Sequence, residues 1–135
     1  MMRGSPFLSG AFLVVSLLLS APAAEAQERW AAVASTDGGA GPVVWGDSKE
    51  EASRRALAAC RKVSDTCSDR AATTPDTSDI LTVMCCNSPR HACGVGAEST
   101  REASQAQVQK MFDGEGFSNC RVIKHLSAET GARID

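Results

Sequence analysis

Three cysteines and a histidine lie close together in the stretch Met84–Ser99, which reads MCCNSPRHACGVGAES. Cys93 follows His91 by two residues, and a histidine beside a thiolate is the arrangement that cysteine nucleophiles use. One interpretation is therefore a small hydrolase or thiol-redox centre that uses these two residues. The other is an exposed turn histidine beside cross-linking cysteines, and the pattern favours this second interpretation.

The cysteine pattern is typical of structural disulfides. The cysteines follow a predicted export signal, and disulfides persist in exported proteins. No C-x-x-C pair occurs, which argues against a zinc site and against a dithiol redox centre. Neighbours in a strand point to opposite faces, so Cys85 and Cys86 should have different partners. We expect Cys93 to pair with one of them and the remaining three cysteines to tie helices to strands. The disulfide candidates are Cys60, Cys67, Cys85, Cys86, Cys93 and Cys120.

Three other side chains are candidates for ligand binding. Arg90 and His91 lie in a predicted turn, where side chains are free to meet a partner. Trp45 lies in a predicted strand and could stack on a ligand, although core packing is the alternative. Carboxylates such as Asp47 and Glu98 stand at predicted helix starts, where the helix dipole favours negative charge. We expect no catalytic residue, no metal site and no cofactor.

Two segments of similar design should position these residues. In the first, about residues 30–72, two apolar strands flank the glycine-rich turn Thr36–Gly41. A helix then begins at a capping box of Ser48 with Glu51 and runs to about Lys62. A weakly supported strand follows it.

The second segment, about residues 80–126, repeats this order. ESTREAS at Glu98–Ser104 matches DSKEEAS at Asp47–Ser53. An internal repeat of this kind lets each half cover the apolar face of the other. The polar stretch Asp65–Asp79 is predicted to be an exposed connector, and the tail Ser127–Asp135 to be frayed. The elements of the second segment are a strand at Ile80–Cys85, a turn at Asn87–His91, a strand at Ala92–Gly96, a helix with a capping box of Ser99 and Glu102, and a strand at Arg121–Leu126.

Residues 1–26 have the features of a secretory signal peptide. Arg3 precedes an apolar run, Phe7–Leu19, and the small residues Ala24 and Ala26 precede the expected cleavage point. The run is shorter than the roughly 20 apolar residues that span a bilayer. We therefore expect one exported domain, residues 27–135, that is periplasmic or secreted and has no membrane insertion after cleavage.

Composition limits the partners of this domain. The chain has 14 basic and 16 acidic residues, and they are interspersed. Nucleic-acid binding needs a basic stripe, which is missing here, so we expect no nucleic-acid partner. Large apolar residues are few, and a small domain with a thin core benefits from cross-links worth about 2–4 kcal/mol each.

Several of these motifs resemble a known family. The opening WAAVA at Trp30–Ala34, the G-x-G-A-x-S-x-x-E-A pattern at Gly94–Ala103 and a cysteine after each helix are similar to the secreted bacterial group called domain of unknown function 4189. The resemblance spans most of the mature chain and implies a small, exported, disulfide-containing protein. It carries no established catalytic residues.

The sequence thus predicts an α+β fold of two similar strand–strand–helix–strand units, with helices packed on antiparallel sheet and disulfides that stabilise it. The favoured function is a non-catalytic binding or inhibitor-like module of the bacterial envelope or secretome. Its partner is expected to be another envelope or secreted protein. The alternative is the small hydrolase or thiol-redox factor that uses His91 and Cys93.

Overall fold

A computed structural model describes residues 29–135. The predicted signal peptide, residues 1–26, lies outside this range. The described residues form an α+β fold with two helices and two antiparallel sheets. In chain order the elements are β1 (Trp30–Thr36), β2 (Gly39–Ala40), β3 (Val44–Gly46), α1 (Lys49–Arg61), β4 (Ala71–Thr74), β5 (Ile80–Ser88), β6 (Ala92–Glu98), α2 (Arg101–Gly114) and β7 (Ser118–Ser127).

Each sheet is built around its first strand. In the first sheet, β1 pairs with β2 and β3 along one edge and with β4 along the other. In the second, β5 lies between β6 and β7. All of these pairings are antiparallel. That the two halves are copies of one unit stays a prediction.

The two sheets pack face to face, and each carries one helix on its outer face. Alternation along the strands explains this arrangement. Val33 and Val83 point inward to the core between the sheets. Ala32 points outward to α1, and Met84 points outward to α2. The inner core is formed by Ala31, Val33, Val43, Leu81, Val83, Val95, Leu126 and Ala128.

Capping residues fix where the helices begin. Ser48 accepts a hydrogen bond from the Glu51 N–H at the start of α1, as predicted. At α2 the prediction of a Ser99 capping box was wrong. Thr100 is the cap and accepts from the Ala103 N–H, because its hydroxyl stands three residues before that free amide.

The weakly supported strand after the first helix is confirmed, and it lies in the segment that was predicted to be an exposed connector. β4 lies within it and pairs with β1. Thr74 at its end is 3% exposed, and its hydroxyl donates to Asp79 Oδ2 at 2.7 Å. Backbone pairing with β1 thus stabilises a strand that its residue types favour only weakly.

All six cysteines form disulfides, namely Cys60–Cys67, Cys85–Cys93 and Cys86–Cys120. Cys85 and Cys86 have different partners because they point to opposite faces of β5. The expectation that the other cysteines tie helices to strands was wrong. Cys60 bonds to the loop directly after its own helix, and Cys120 joins β7 to β5.

The C-terminal residues are packed rather than frayed. Ala128 is fully buried, and its carbonyl accepts a hydrogen bond from Trp45 Nε1 at 2.8 Å. Arg133 forms a bridge with Leu126. Between residues 29 and 135, no helix is long and apolar enough to cross a membrane.

Candidate functional site

A groove of about 1100 Å³ runs along one side of the molecule, where both sheets end. One wall is β4, the edge strand of the first sheet. The other is β6, the edge strand of the second sheet, with the C-terminal part of α2 beside it. We call this the edge groove.

The backbone of β6 faces this groove with free hydrogen-bonding groups. Cys85 and Cys93 lie directly opposite each other, and their Cα atoms are 4.0 Å apart. This short separation is typical of an antiparallel pair that makes no ladder hydrogen bonds. The N–H and C=O groups of Cys93, and of Val95 two residues on, therefore point away from β5. The Ala97 N–H follows the same alternation and is bonded to Gln107 Oε1 at 2.6 Å. Among the described residues the corresponding groups of Cys93 and Val95 have no partner.

The outer edge of β4 is open as well. The Ala34 carbonyl accepts from Gly41 N–H at 2.8 Å, so the backbone groups of Ala34 point away from β4. Its partner in the β1–β4 pair, Ala71, therefore turns its own groups away from β1. Thr73 does likewise. Two open strand edges thus line one groove.

The groove is acidic and partly apolar. Four carboxylates and one guanidinium line the groove. None of these carboxylates forms an ion pair with a described residue. Met111, which is 50% exposed, and Phe112 supply apolar surface beside β6. The charged lining residues are Asp69, Asp79, Glu98, Glu115 and Arg70.

The turn that leads out of β4 is held by a carboxylate. Asp76 Oδ1 accepts from the Ser78 hydroxyl at 2.6 Å and from the Ser78 N–H at 2.9 Å. These two hydrogen bonds, that of the hydroxyl first, hold the pKa of Asp76 below its ordinary value. The turn is thereby fixed next to Thr74 and Asp79, which end the groove.

A smaller pocket of about 260 Å³ adjoins the edge groove and shares Cys93 with it. We call it the hairpin pocket, because the β5–β6 turn forms one side. Arg90 and His91 line it, as does Asp37 in the β1–β2 turn. The structure thus brings two of the predicted binding residues to the site. Trp45 lines neither concavity and instead packs against the inner core.

Both ring nitrogens of His91 are engaged. Nε2 lies 2.5 Å from the Asp37 carbonyl oxygen, which carries no hydrogen, so Nε2 donates. Nδ1 lies 2.8 Å from Oδ1 of Asn87. His91 therefore ties the β5–β6 turn to the β1–β2 turn. With Nε2 donating, that nitrogen has no lone pair free to take a proton from Cys93 or a substrate.

The sulfur beside His91 is oxidised. Nε2 lies 3.6 Å from Cys93 Sγ, and the ligand atoms of Cys85, His91 and Cys93 all lie within 4.8 Å of one another. Because the two sulfurs are bonded to each other, neither offers a thiolate as a nucleophile or as a metal ligand. This cluster is a cross-linked hairpin in the structure.

The sequence did not indicate the edge groove. Its walls include β4, which was predicted only as a weakly supported strand within a polar connector, and Met111 in the C-terminal part of α2. The one signal was the run of threonines and alanines before Pro75, which reads weakly as a strand. No protein-family model, curated protein or solved structure matches this chain.

Proposed function

We propose that this protein is an exported, non-catalytic binding module, or an inhibitor-like one, and that the edge groove holds its partner. The observation that carries the proposal is the groove itself. It is about 1100 Å³ and combines the exposed apolar side chain of Met111, carboxylates without an ion-pair partner and free backbone groups. Ligand sites in proteins are concave and combine an apolar lining with a few polar groups in this way.

The groove is a preformed site. Val95 on one wall belongs to the inner core, and Cys93 is cross-linked to the central strand β5. On the other wall, β4 pairs with β1 along its whole length. A rigid site loses little conformational entropy when a partner binds, which favours affinity.

Two exposed apolar residues give a matched test of this proposal. Met111 lines the groove and is 50% exposed, whereas Val63 is 66% exposed and lies outside it. The exported protein and its variants Met111→Arg and Val63→Arg are used to capture partners from the envelope fraction and the culture fluid of the producing cells. We expect Met111→Arg to weaken capture of the same partner at least tenfold and Val63→Arg to leave it unchanged. Equal capture by all three proteins would contradict the proposal.

The proposed location is the periplasm or the medium, and the proposed family is the secreted bacterial domain of unknown function 4189. Three disulfides are typical of proteins in an oxidising compartment outside the cytoplasm. The family proposal rests on the short motifs Trp30–Ala34 and Gly94–Ala103. Cell fractionation followed by N-terminal sequencing tests the export proposal, with Gln27 as the expected first residue. A cytoplasmic protein that retains residues 1–26 would overturn it.

A second candidate function is thiol–disulfide exchange, favoured by the position of His91 Nε2 at 3.6 Å from Cys93 Sγ. An external thiolate attacks Cys93 Sγ and forms a mixed disulfide, the Cys85–Cys93 bond breaks, and Cys85 leaves as a thiolate. A ring nitrogen of His91 lies within 4.8 Å of the Cys85 sulfur, and its N–H group stabilises that thiolate.

Exchange with glutathione, followed by mass spectrometry, tests this second candidate. We expect His91→Ala to slow formation of the mixed disulfide at least tenfold. His125→Ala is the control, because His125 pairs with Thr82 and lines neither concavity. Equal rates for the two variants would remove the redox candidate and leave the binding proposal intact.

A further inference from the structure

We propose that the partner enters the edge groove as an extended polypeptide segment, pairs with β6 as an added strand, and carries basic side chains at alternate positions. This inference rests on the proposed function and names the partner class. The observation behind it is that β6 presents unpaired backbone groups to a groove whose carboxylates have no ion-pair partner.

Cys93 and Val95 supply the backbone groups that pair with the added strand. Their N–H and C=O groups point into the groove, and four such groups in a row are the template that strand addition uses. Neighbouring strands lie about 4.8 Å apart, so a segment paired with β6 extends the second sheet by one strand along the groove. We assign the pairing to β6 rather than to β4 because β6 has the longer ladder to its sheet, seven residue pairs against four.

The side chain of Gln107 limits how far the partner strand can pair along β6. Its Oε1 accepts from the Ala97 N–H and its Nε2 donates to Glu98 Oε1. This side chain occupies the place that a partner carbonyl would take beyond Val95. From Cys93 to Ala97 the strand covers about 13 Å at roughly 3.3 Å per residue, so about five partner residues make contact.

Alternation along β6 and the charge of the groove determine which partner side chains fit. Gly94 and Gly96 face α2, since a side chain there would meet Phe112 or Ser104. Partner residues that share this face meet the apolar surface of Met111 and Phe112, with Glu98 and Glu115 nearby. Lysine and arginine suit both features, because an apolar stem lies on the apolar surface while the charged end reaches a carboxylate.

The probe is a displayed library of random ten-residue peptides, selected against the oxidised exported protein. We expect the enriched peptides to carry Lys or Arg at every second position, and their affinity to fall as salt rises, because salt screens exposed charges. Enrichment of acidic peptides, or of none, would overturn the inference.

Two versions of the enriched peptide, each N-methylated at a different set of alternate amides, form a matched pair. Methyl groups on the amides that face β6 should weaken binding at least tenfold, whereas methyl groups on the intervening amides should leave it unchanged. In parallel, hydrogen exchange by NMR should show the Cys93 and Val95 amides protected only in the complex.

These measurements distinguish a failure of the pairing with β6 from a failure of the proposed function. A peptide that binds without protecting Cys93 and Val95, or that protects only Ala71 and Thr73 on β4, refutes pairing with β6 and leaves groove binding in place. A natural partner whose capture is insensitive to Met111→Arg refutes the proposed function itself.

Discussion

The N-terminal half, residues 30–74, and the C-terminal half, residues 80–127, both place a helix against the outer face of a sheet, but they fill that contact differently. Under α1 the fully buried residues are Ala32, Ala52 and Ala56, with the partly buried Trp30 and Val44 packed against them. Under α2 they are larger, and a disulfide lies among them: Met84, Cys86, Val108, Phe112 and Phe117, with Cys120 packed beside them.

The difference shows two ways of attaching a helix to a sheet. Burial of apolar area contributes roughly 25 cal/mol per Å², so the alanine contact gains little per residue and depends on close backbone approach. The contact under α2 gains from large side chains, including the edge-to-face pair of Phe112 and Phe117, whose centroids are 5.3 Å apart. We expect the C-terminal half to carry more of the free energy of unfolding.

The largest expected effect on the free energy of unfolding comes from removing disulfides, which tests the difference in stability between the two halves. Cys86–Cys120 joins residues 34 apart, and Cys60–Cys67 joins residues 7 apart. Loop-closure entropy then predicts a loss of about 4 kcal/mol for Cys86→Ala with Cys120→Ala, and about 2.5 kcal/mol for Cys60→Ala with Cys67→Ala. Urea unfolding measures both. A greater loss from the second double variant would reverse the comparison.

Glycines beneath the helices provide the next test. A side chain at Gly46 would lie 2.6 Å from the Ala52 nitrogen, and one at Gly96 would press against the Ser104 carbonyl oxygen. Both helices approach the sheet backbone closely at their first turns. We expect Gly46→Ala and Gly96→Ala each to lower the free energy of unfolding by about 1–3 kcal/mol.

Gly114 is the control for these two glycine variants. Nothing lies within 4 Å of a side chain placed there, and alanine is the better helix former by up to about 1 kcal/mol. Gly114→Ala should therefore be neutral or stabilising. If Gly46→Ala were equally neutral, close approach would not be what holds α1.

The two halves differ less in their helix caps than in the packing beneath their helices. Ser48 and Thr100 each accept a hydrogen bond from an otherwise free N–H. We expect Ser48→Ala and Thr100→Ala each to cost about 1 kcal/mol in thermal or urea unfolding. Ser99→Ala should cost close to nothing, because Ser99 is exposed and outside the cap. A larger loss at Ser99 than at Thr100 would restore the predicted capping box.

The smallest expected effect on stability concerns the residues that follow the C-terminal half. The backbone N–H of His125, and after it the Arg133 side chain, donate to Asp135 and hold the pKa of its carboxyl below the ordinary value of 3.8. Its contribution to stability is therefore complete above that value and is lost as pH falls through the lower value in the folded protein.

Asp135→Asn should remove this pH dependence. Between about pH 5 and about pH 2 the thermal midpoint should fall slightly more steeply for the natural protein than for the variant. Parallel curves would show that Asp135 contributes nothing to the packing of the C-terminal residues against β7.

Residue periodicity and helix-start chemistry determined most elements of this fold. Apolar β-branched residues predict β5, and Ser48 with Glu51 predicts the start of α1, because both signals act within a few residues. The strand β4 was predicted only weakly in this way. Its alanines and threonines become a strand because β1 offers them hydrogen bonds, and that contact spans some forty residues of chain.

The sequence by itself determined that Cys85 and Cys86 face opposite sides of a strand, since alternation is a local property of the backbone. Only the tertiary structure decided their partners, because those depend on which strands flank β5. The edge groove likewise exists only in three dimensions. Its two walls come from different sheets, and the free backbone groups that line it follow from which strands lie at the edges.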